Sequence, residues 1–250
     1  MEHDDRVAAV ARELGALHAA LAAGPMTAAV PSCPGWTMAE LAVHVGEFCG
    51  FYTHVLCEGT GRDKTPLPPT PEGDELREWL VEVGRLLVQE LEATPPETPT
   101  WSWYEPDRSA GFVARRAANE LAVHRYDAQS ARGTAQPIDR ALAVDGIEEL
   151  VERLVLLRPR SGEATGQTIH LHGTDQAHEA DEADALPAEW LLTLLPDRID
   201  VARTHAKGDL ALRGAVSDLE LLLFGRPPLG PVERLGDQAV LDAWYHEFRF

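Results

Sequence analysis

Three polar side chains interrupt two segments that otherwise have the apolar pattern of core helices. His44 lies within the segment 41–52, and Glu120 and His124 lie within the segment 113–128. Residues four apart on a helix differ by about 40° in direction, so Glu120 and His124 lie on one face, one turn apart. A carboxylate buried without a partner would be costly or would take up a proton. Glu120 therefore needs a cationic partner.

Two partners would meet this requirement, and the spacing alone leaves both open. In the first alternative, Glu120 bonds an arginine and the two histidines are satisfied core residues. In the second, Glu120 and His124 from one helix meet His44 from another helix around a divalent ion. Two imidazoles and one carboxylate leave coordination positions open, which is typical of a catalytic rather than a structural metal site.

The composition limits the classes of partner. The 250 residues are 44% hydrophobic and 25% charged, as in ordinary globular proteins. Asp and Glu number 41 against 22 Lys and Arg, which gives a formal net charge of −19. This charge repels phosphate backbones and anionic lipid surfaces, so we expect no nucleic acid and no membrane as partner.

We identify no targeting signal in the sequence. Its N-terminal sequence lacks the basic and apolar parts of a signal peptide, and no apolar run approaches the roughly 18 residues of a membrane span. Cys33, Cys49 and Cys57 form no CxxC pair and no even disulfide framework. We expect a reduced cytoplasmic protein that is a monomer or a homodimer.

Apolar side chains recur at helical steps through the first 158 residues, with proline- and glycine-rich segments between the helices. Thr37 and Glu40 have the spacing of a capping box, and Asp74 is predicted to cap a third helix. A fifth helix is expected over 139–158. The pattern predicts an up-down four-helix bundle with one added helix.

Beyond residue 158 the pattern changes to short alternating segments. We predict strands in 167–175, 189–195, 198–203 and 209–213, a helix in 215–224, and a strand and a helix in 232–244. The fold class is therefore α+β in two domains, a helical bundle over 1–158 and a small α+β domain over 159–250.

A histidine pair in the second domain is a further metal candidate. His170 and His172 lie on one face of a predicted strand, and such a pair can bind a metal. The sequence offers no third ligand at a convincing spacing, apart from His178 in the acidic loop 178–185. The pair leaves a second metal site open without predicting one.

Two segments carry a resemblance to a known family. VPSCPGWTMAELAVHVGEF at 30–48 and ARRAANELAVHRYDA at 114–128 resemble the mycothiol-dependent maleylpyruvate isomerase family, which consists of actinobacterial proteins with a DinB-like metal-binding N-terminal bundle. The segments IHLHGTD, EWLLTLLPD and LALRGAVSDLELLLFGR are similar to the C-terminal domain of that family. The resemblance extends over nearly the whole chain.

The resemblance implies a cofactor set and a type of reaction. His44, Glu120 and His124 would hold a divalent metal, zinc by preference, and mycothiol would be the thiol cofactor. Coordination to a zinc-like Lewis acid removes the proton of a thiol. The thiolate would then add to a double bond in an isomerisation or displace a leaving group in an S-transfer. A small electrophilic substrate is the expected partner of this isomerase or thiol transferase.

Two further residues are candidate catalytic residues. Asp127 follows His124 by three positions and would orient its imidazole, or would pair with Arg125 instead. The resemblance implies an arginine of the second domain that binds a substrate carboxylate. Arg226 is our candidate, with Arg213 as the alternative, and either would otherwise be an ordinary helix-end or surface charge.

Two other functions share the same ligand set. One is a metal-dependent hydrolase in which the open position holds an activated water, and turnover without thiol would favour it. The other is a non-catalytic, metal-binding regulatory module. Metal occupancy without thiol affinity would indicate that module.

Overall fold

A computed structural model describes residues 1–61, 69–73, 75–157, 164–175 and 188–248. The chain divides into two compact units, 1–136 and 137–250. The predicted cap Asp74, the acidic loop 178–185 and the predicted boundary between residues 158 and 159 lie outside the described residues. Among those that are described, no helix is long and apolar enough to cross a membrane.

Four helices form the N-terminal unit, as predicted. They are α1 (His3–Ala22), α2 (Met38–Glu58), α3 (Glu75–Ala93) and α4 (Ala110–Ser130). Helices α1 and α2 each pack against both α3 and α4. Helix α4 is the most enclosed, because every residue from Phe112 to Ala128 except Glu120 is buried. The position of Glu120 is therefore an opening in an otherwise covered helix.

Capping interactions fix where the two site-bearing helices begin. The Thr37 hydroxyl accepts a hydrogen bond from the Glu40 backbone N–H, and the Glu40 carboxylate accepts one from the Thr37 N–H at 2.6 Å. This is the predicted capping box. The Ser109 hydroxyl caps α4 by accepting from the Phe112 N–H at 3.2 Å. His44 consequently lies in the second turn of α2.

The C-terminal unit is a five-stranded mixed sheet with helices. Its elements are α5 (Arg140–Glu152), β1 (Thr168–Gly173), β2 (Glu189–Leu194), β3 (Ile199–Ala202), β4 (Leu210–Gly214), α6 (Val216–Leu223), β5 (Glu233–Gly236) and α7 (Ala239–Glu247). The strand order is β3-β2-β1-β4-β5, and only the β1–β4 pair is parallel. Helix α6 packs on β1 and β4. The structure confirms the α+β class.

Helix α5 differs from the sequence expectation. We expected it over 139–158 as an addition to the bundle, but it ends at Glu152 and belongs to the C-terminal unit. It packs against α6 and β3, and the Ile138 N–H donates to the Ser217 hydroxyl at 2.8 Å. An apolar stripe shows that a helix buries one face, but it does not show which unit covers that face.

One buried ion pair joins the first and last helices of the bundle. Arg125 Nε donates to Glu13 Oε2 at 2.7 Å, and the side chains are 4% and 5% exposed. Two charges removed from water in this way stabilise a fold only as a pair, because each balances the other.

Replacing Glu13 with alanine should lower the free energy of unfolding of the bundle by about 3–5 kcal/mol, since it leaves the Arg125 charge buried without its carboxylate. Denaturant titration followed by helical circular dichroism measures this loss. E82A is the matched control, because it removes the exposed carboxylate that pairs with Arg85 and should cost much less. Equal losses for E13A and E82A would contradict the prediction.

Candidate metal centre

One oxygen of Glu120 lies between two imidazoles. Glu120 Oε1 is 3.1 Å from His44 Nε2 and 3.3 Å from His124 Nε2. The two rings meet edge to face, with centroids 4.8 Å apart. The structure therefore brings together, from helices α2 and α4, the three residues that the sequence singled out as metal ligands.

The second oxygen of Glu120 is taken by an arginine. Arg116, one turn earlier on α4, pairs through Nη2 with Glu120 Oε2. The arginine of the first alternative is therefore present at one oxygen, while the other oxygen faces the histidines, as the second alternative requires. The ion of the second alternative stays a prediction. Our sequence analysis did not name Arg116. Its signal is the four-residue spacing to Glu120, which places both side chains on one helix face.

Asp127 lies behind His124. Its Oδ2 is 3.0 Å from His124 Nδ1, and the carboxylate is fully buried. Of the two partners considered for Asp127, the histidine is in contact with it, and Arg125 pairs with Glu13. A carboxylate at Nδ1 fixes the orientation of the ring and leaves Nε2 directed at Glu120. A role for Asp127 in positioning His124 as a metal ligand fits this contact and stays a prediction.

The loop before α2 forms a wall of the centre. Backbone hydrogen bonds from Cys33 to Val30 and from Trp36 to Cys33 make it compact. The Trp36 ring lies 5.1 Å from the His44 ring and stacks with the His124 ring at 6.5 Å between centroids. Cys33 Sγ donates to Asp127 Oδ2 at 3.4 Å. The aromatic wall was not part of our sequence-based site, although it lies in the CPGW segment.

The three side chains of the centre differ in exposure. The side chain of His44 is 40% exposed, whereas that of Glu120 is 20% and that of His124 is 10% exposed. His44 on α2 is therefore the most exposed of the three side chains, and Glu120 and His124 on α4 lie deeper.

The donor set fits a divalent cation such as zinc. Around a tetrahedral zinc ion with bonds of about 2.0–2.1 Å, two ligand atoms lie about 3.3 Å apart. The separations of Glu120 Oε1 from the two histidine nitrogens are 3.1 and 3.3 Å. Two imidazoles and one carboxylate are also the ligand types that zinc and its neighbours in the first transition row accept.

Electrostatics favour the ionised carboxylate. Burial acts to raise the pKa of Glu120, but the Arg116 charge and the two imidazoles outweigh it and hold that pKa well below its usual range. Burial acts to lower the pKa of His124, yet hydrogen bonds to Asp127 and Glu120 raise it to about 9. A cation must displace this proton to bind His124.

The two arginine candidates lie in the C-terminal unit. Arg226 is buried just after α6, and its Nη1 donates to the Phe224 carbonyl at 2.8 Å. Arg213 is half exposed on β4 and pairs with Glu233 on β5 at 3.2 Å. A role for Arg226 in binding a substrate carboxylate stays a prediction.

The pKa of His124 can be tested directly. In protein stripped of metal by a chelator, we expect the ring nitrogens of His124 to titrate near pH 9 in two-dimensional NMR. Because this pKa exceeds the ordinary 6.5, the charged ring stabilises the metal-free fold below pH 6.5, and this contribution is lost as the pH rises through 9. D127N should lower the pKa. A wild-type value at or below 6.5 would contradict the assignment.

Comparisons with known proteins show what the N-terminal domain and the fold resemble. Residues 7–129 match the family model described as mycothiol maleylpyruvate isomerase N-terminal domain. Crystal structures of mycothiol-dependent maleylpyruvate isomerase and of a mutant of it are similar to the chain, with TM-scores of 0.61 and 0.60 and 13% identity over 94% of this chain and 93% of theirs. At that identity the likeness shows a shared fold. No curated protein matches the sequence. Residues 7–129, just under half of the chain, are therefore similar to the mycothiol maleylpyruvate isomerase N-terminal domain.

Proposed function

We propose that the chain is a metal-dependent enzyme that activates mycothiol as a thiolate for isomerisation or S-transfer on a small electrophilic substrate. The observation that carries the proposal is Glu120 Oε1 lying between the Nε2 atoms of His44 and His124, with the His44 side chain partly exposed. The match of residues 7–129 to the N-terminal domain of mycothiol maleylpyruvate isomerase supports mycothiol as the thiol.

The charge around the centre supports an anionic fourth ligand. A bound divalent ion, zinc by ligand type and spacing, supplies a Lewis acid that lowers the pKa of a coordinated thiol. Arg116 neutralises Glu120, so the carboxylate ligand removes little of the positive charge of a cation. The buried Asp127 cancels only part of the rest. The site therefore favours a thiolate over a neutral thiol.

Of the chain's three cysteines, Cys33 donates its S–H to Asp127, and the other two have thiols of raised pKa. Cys49 is buried on α2, and burial together with the nearby Glu120 carboxylate raises its pKa to about 12. Partial burial and the carboxylate of Glu90 raise the pKa of Cys57 as well. Both thiols are protonated at neutral pH, and the protonated thiol is the unreactive form. An external thiol fits the centre better.

The protein's contribution is position and access. Asp127 holds the His124 ring at Nδ1, and Arg116 holds Glu120 by one oxygen, so the donor atoms are arranged before any ligand arrives. Such preorganisation reduces the cost of binding and orienting the reactants. Trp36 offers an apolar wall beside the exposed edge of His44, where a thiol and a second substrate would meet.

Calorimetric titration with mycothiol tests the proposal. Zinc-loaded wild-type protein should bind the thiol, and H44A should show no measurable binding, because loss of the exposed ligand removes the cation that holds the sulfur. H54A is the matched control on the same helix, about 15 Å further along the axis, and should bind like wild type. Equal binding by H44A and wild type would refute the role of the centre.

The same preparations separate the rival functions. Turnover of a small ester or amide panel by the zinc-loaded protein without thiol would indicate the hydrolase. Zinc retention with no affinity for mycothiol in the wild type would indicate the non-catalytic module. Binding of mycothiol that depends on His44 is expected only for the thiol-activating enzyme.

A further inference from the structure

A second group of imidazoles surrounds a carboxylate in the C-terminal unit. His170 and His172 lie on β1, Glu189 begins β2, and His205 lies in the loop between β3 and β4. His172 and Glu189 are direct partners in the antiparallel register. Because side chains alternate along a strand, the two histidines lie on the face opposite Ile169, away from α6.

Glu189 contacts the histidines through both oxygens. Its Oε1 is 2.8 Å from His172 Nδ1, and its Oε2 is 2.8 Å from His205 Nδ1 and 3.6 Å from His170 Nε2. The three rings lie 5.4 to 6.1 Å apart between centroids. One donor atom from each of the four residues lies within 4.8 Å of all the others.

One donor of this cluster is buried and unused. The His170 side chain is 7% exposed, and its Nε2 has no hydrogen-bond partner among the described residues. Buried polar atoms nearly always have a partner, and each exception calls for an explanation. This nitrogen faces the Glu189 carboxylate, too far away for a hydrogen bond, so an ion between the two would satisfy it.

The loop that carries His205 is held close to β1. A Cβ at Gly208 would lie 2.9 Å from the His170 backbone nitrogen, nearer than real Cβ atoms come. Glycine at 208 therefore permits the loop between β3 and β4 to approach the strand. This approach brings His205 to Glu189.

We propose that His170, His172, Glu189 and His205 form a second metal site, one that takes a divalent transition-metal ion such as zinc. Three imidazoles and one carboxylate give four protein ligands, the number of a closed structural zinc site. The ion ties the loop between β3 and β4 to the sheet. This site is independent of the function proposed for the centre at Glu120.

The site is tested by titrating zinc into the metal-free protein in the presence of a competing chromophoric chelator. We expect wild type to bind two ions per chain and H205A to bind one tightly. Removing this ligand should lower the affinity for the second ion on the order of 100-fold. Loss of a residue that only hydrogen-bonds a metal ligand already lowers affinity up to about that much. His205 is 78% exposed, so the substitution leaves the core unchanged. H246A, an exposed histidine of α7, is the matched control and should bind two ions.

A second background removes ambiguity about which ion is lost. H44A/H124A disables the centre at Glu120 and should retain one ion, which H44A/H124A/H205A should bind about 100-fold more weakly. Identical titrations of H205A and H246A would overturn the proposal and leave Glu189 as a hydrogen-bond partner of its histidines. Mycothiol binding by H205A separates the two proposals, because loss of the second ion should leave it unchanged.

Discussion

The division of the Glu120 carboxylate between two kinds of partner is the constraint on which the N-terminal site depends. Arg116, Glu120 and His124 follow at four-residue steps on α4, so one helix face presents a cation, an anion and an imidazole in order. Arg116 takes one oxygen and thereby keeps the carboxylate ionised and fixed. The other oxygen is left for His44 and His124. Without the arginine, a carboxylate in this enclosed helix would become protonated or turn away.

The bundle converts that helix face into a site by fixing the rotation of α4. Consecutive helix residues differ by about 100° in direction, so His124 and Arg125 face different neighbours. Arg125 is bound to Glu13 on α1, and His124 is thereby turned towards His44 on α2. The buried ion pair and the candidate metal centre therefore depend on the same rotation of α4. The capping box at Thr37 sets the start of α2 and hence the height of His44.

Local signals were readable in the sequence, and contacts between distant segments were not. The capping box, the strands and the shared face of Glu120 and His124 follow from spacing of a few residues. Spacing does not show which unit packs against α5, because the apolar stripe of α5 would fit either unit. In the same way His170 and His172 were visible as a pair, while Glu189 reaches them only through strand pairing and His205 only through a loop. The periodicity of apolar residues in a sequence shows which face of an element is buried. Which residues lie beside that face depends on strand register and packing, which the periodicity does not show.

The clusters at Glu120 and at Glu189 differ in the number of coordination positions that the protein would fill, and this number decides what each could do. At Glu120 three ligands converge, one of them exposed, and an arginine has already cancelled the charge of the carboxylate. With a cation bound, such a site would have an open coordination position and a surplus of positive charge for an anionic ligand. At Glu189 four donors surround one point, and no arginine pairs with the carboxylate among the described residues. A cation there would be fully coordinated by the chain itself and would have no position for a substrate. Such a site would hold a loop in place and would not catalyse a reaction.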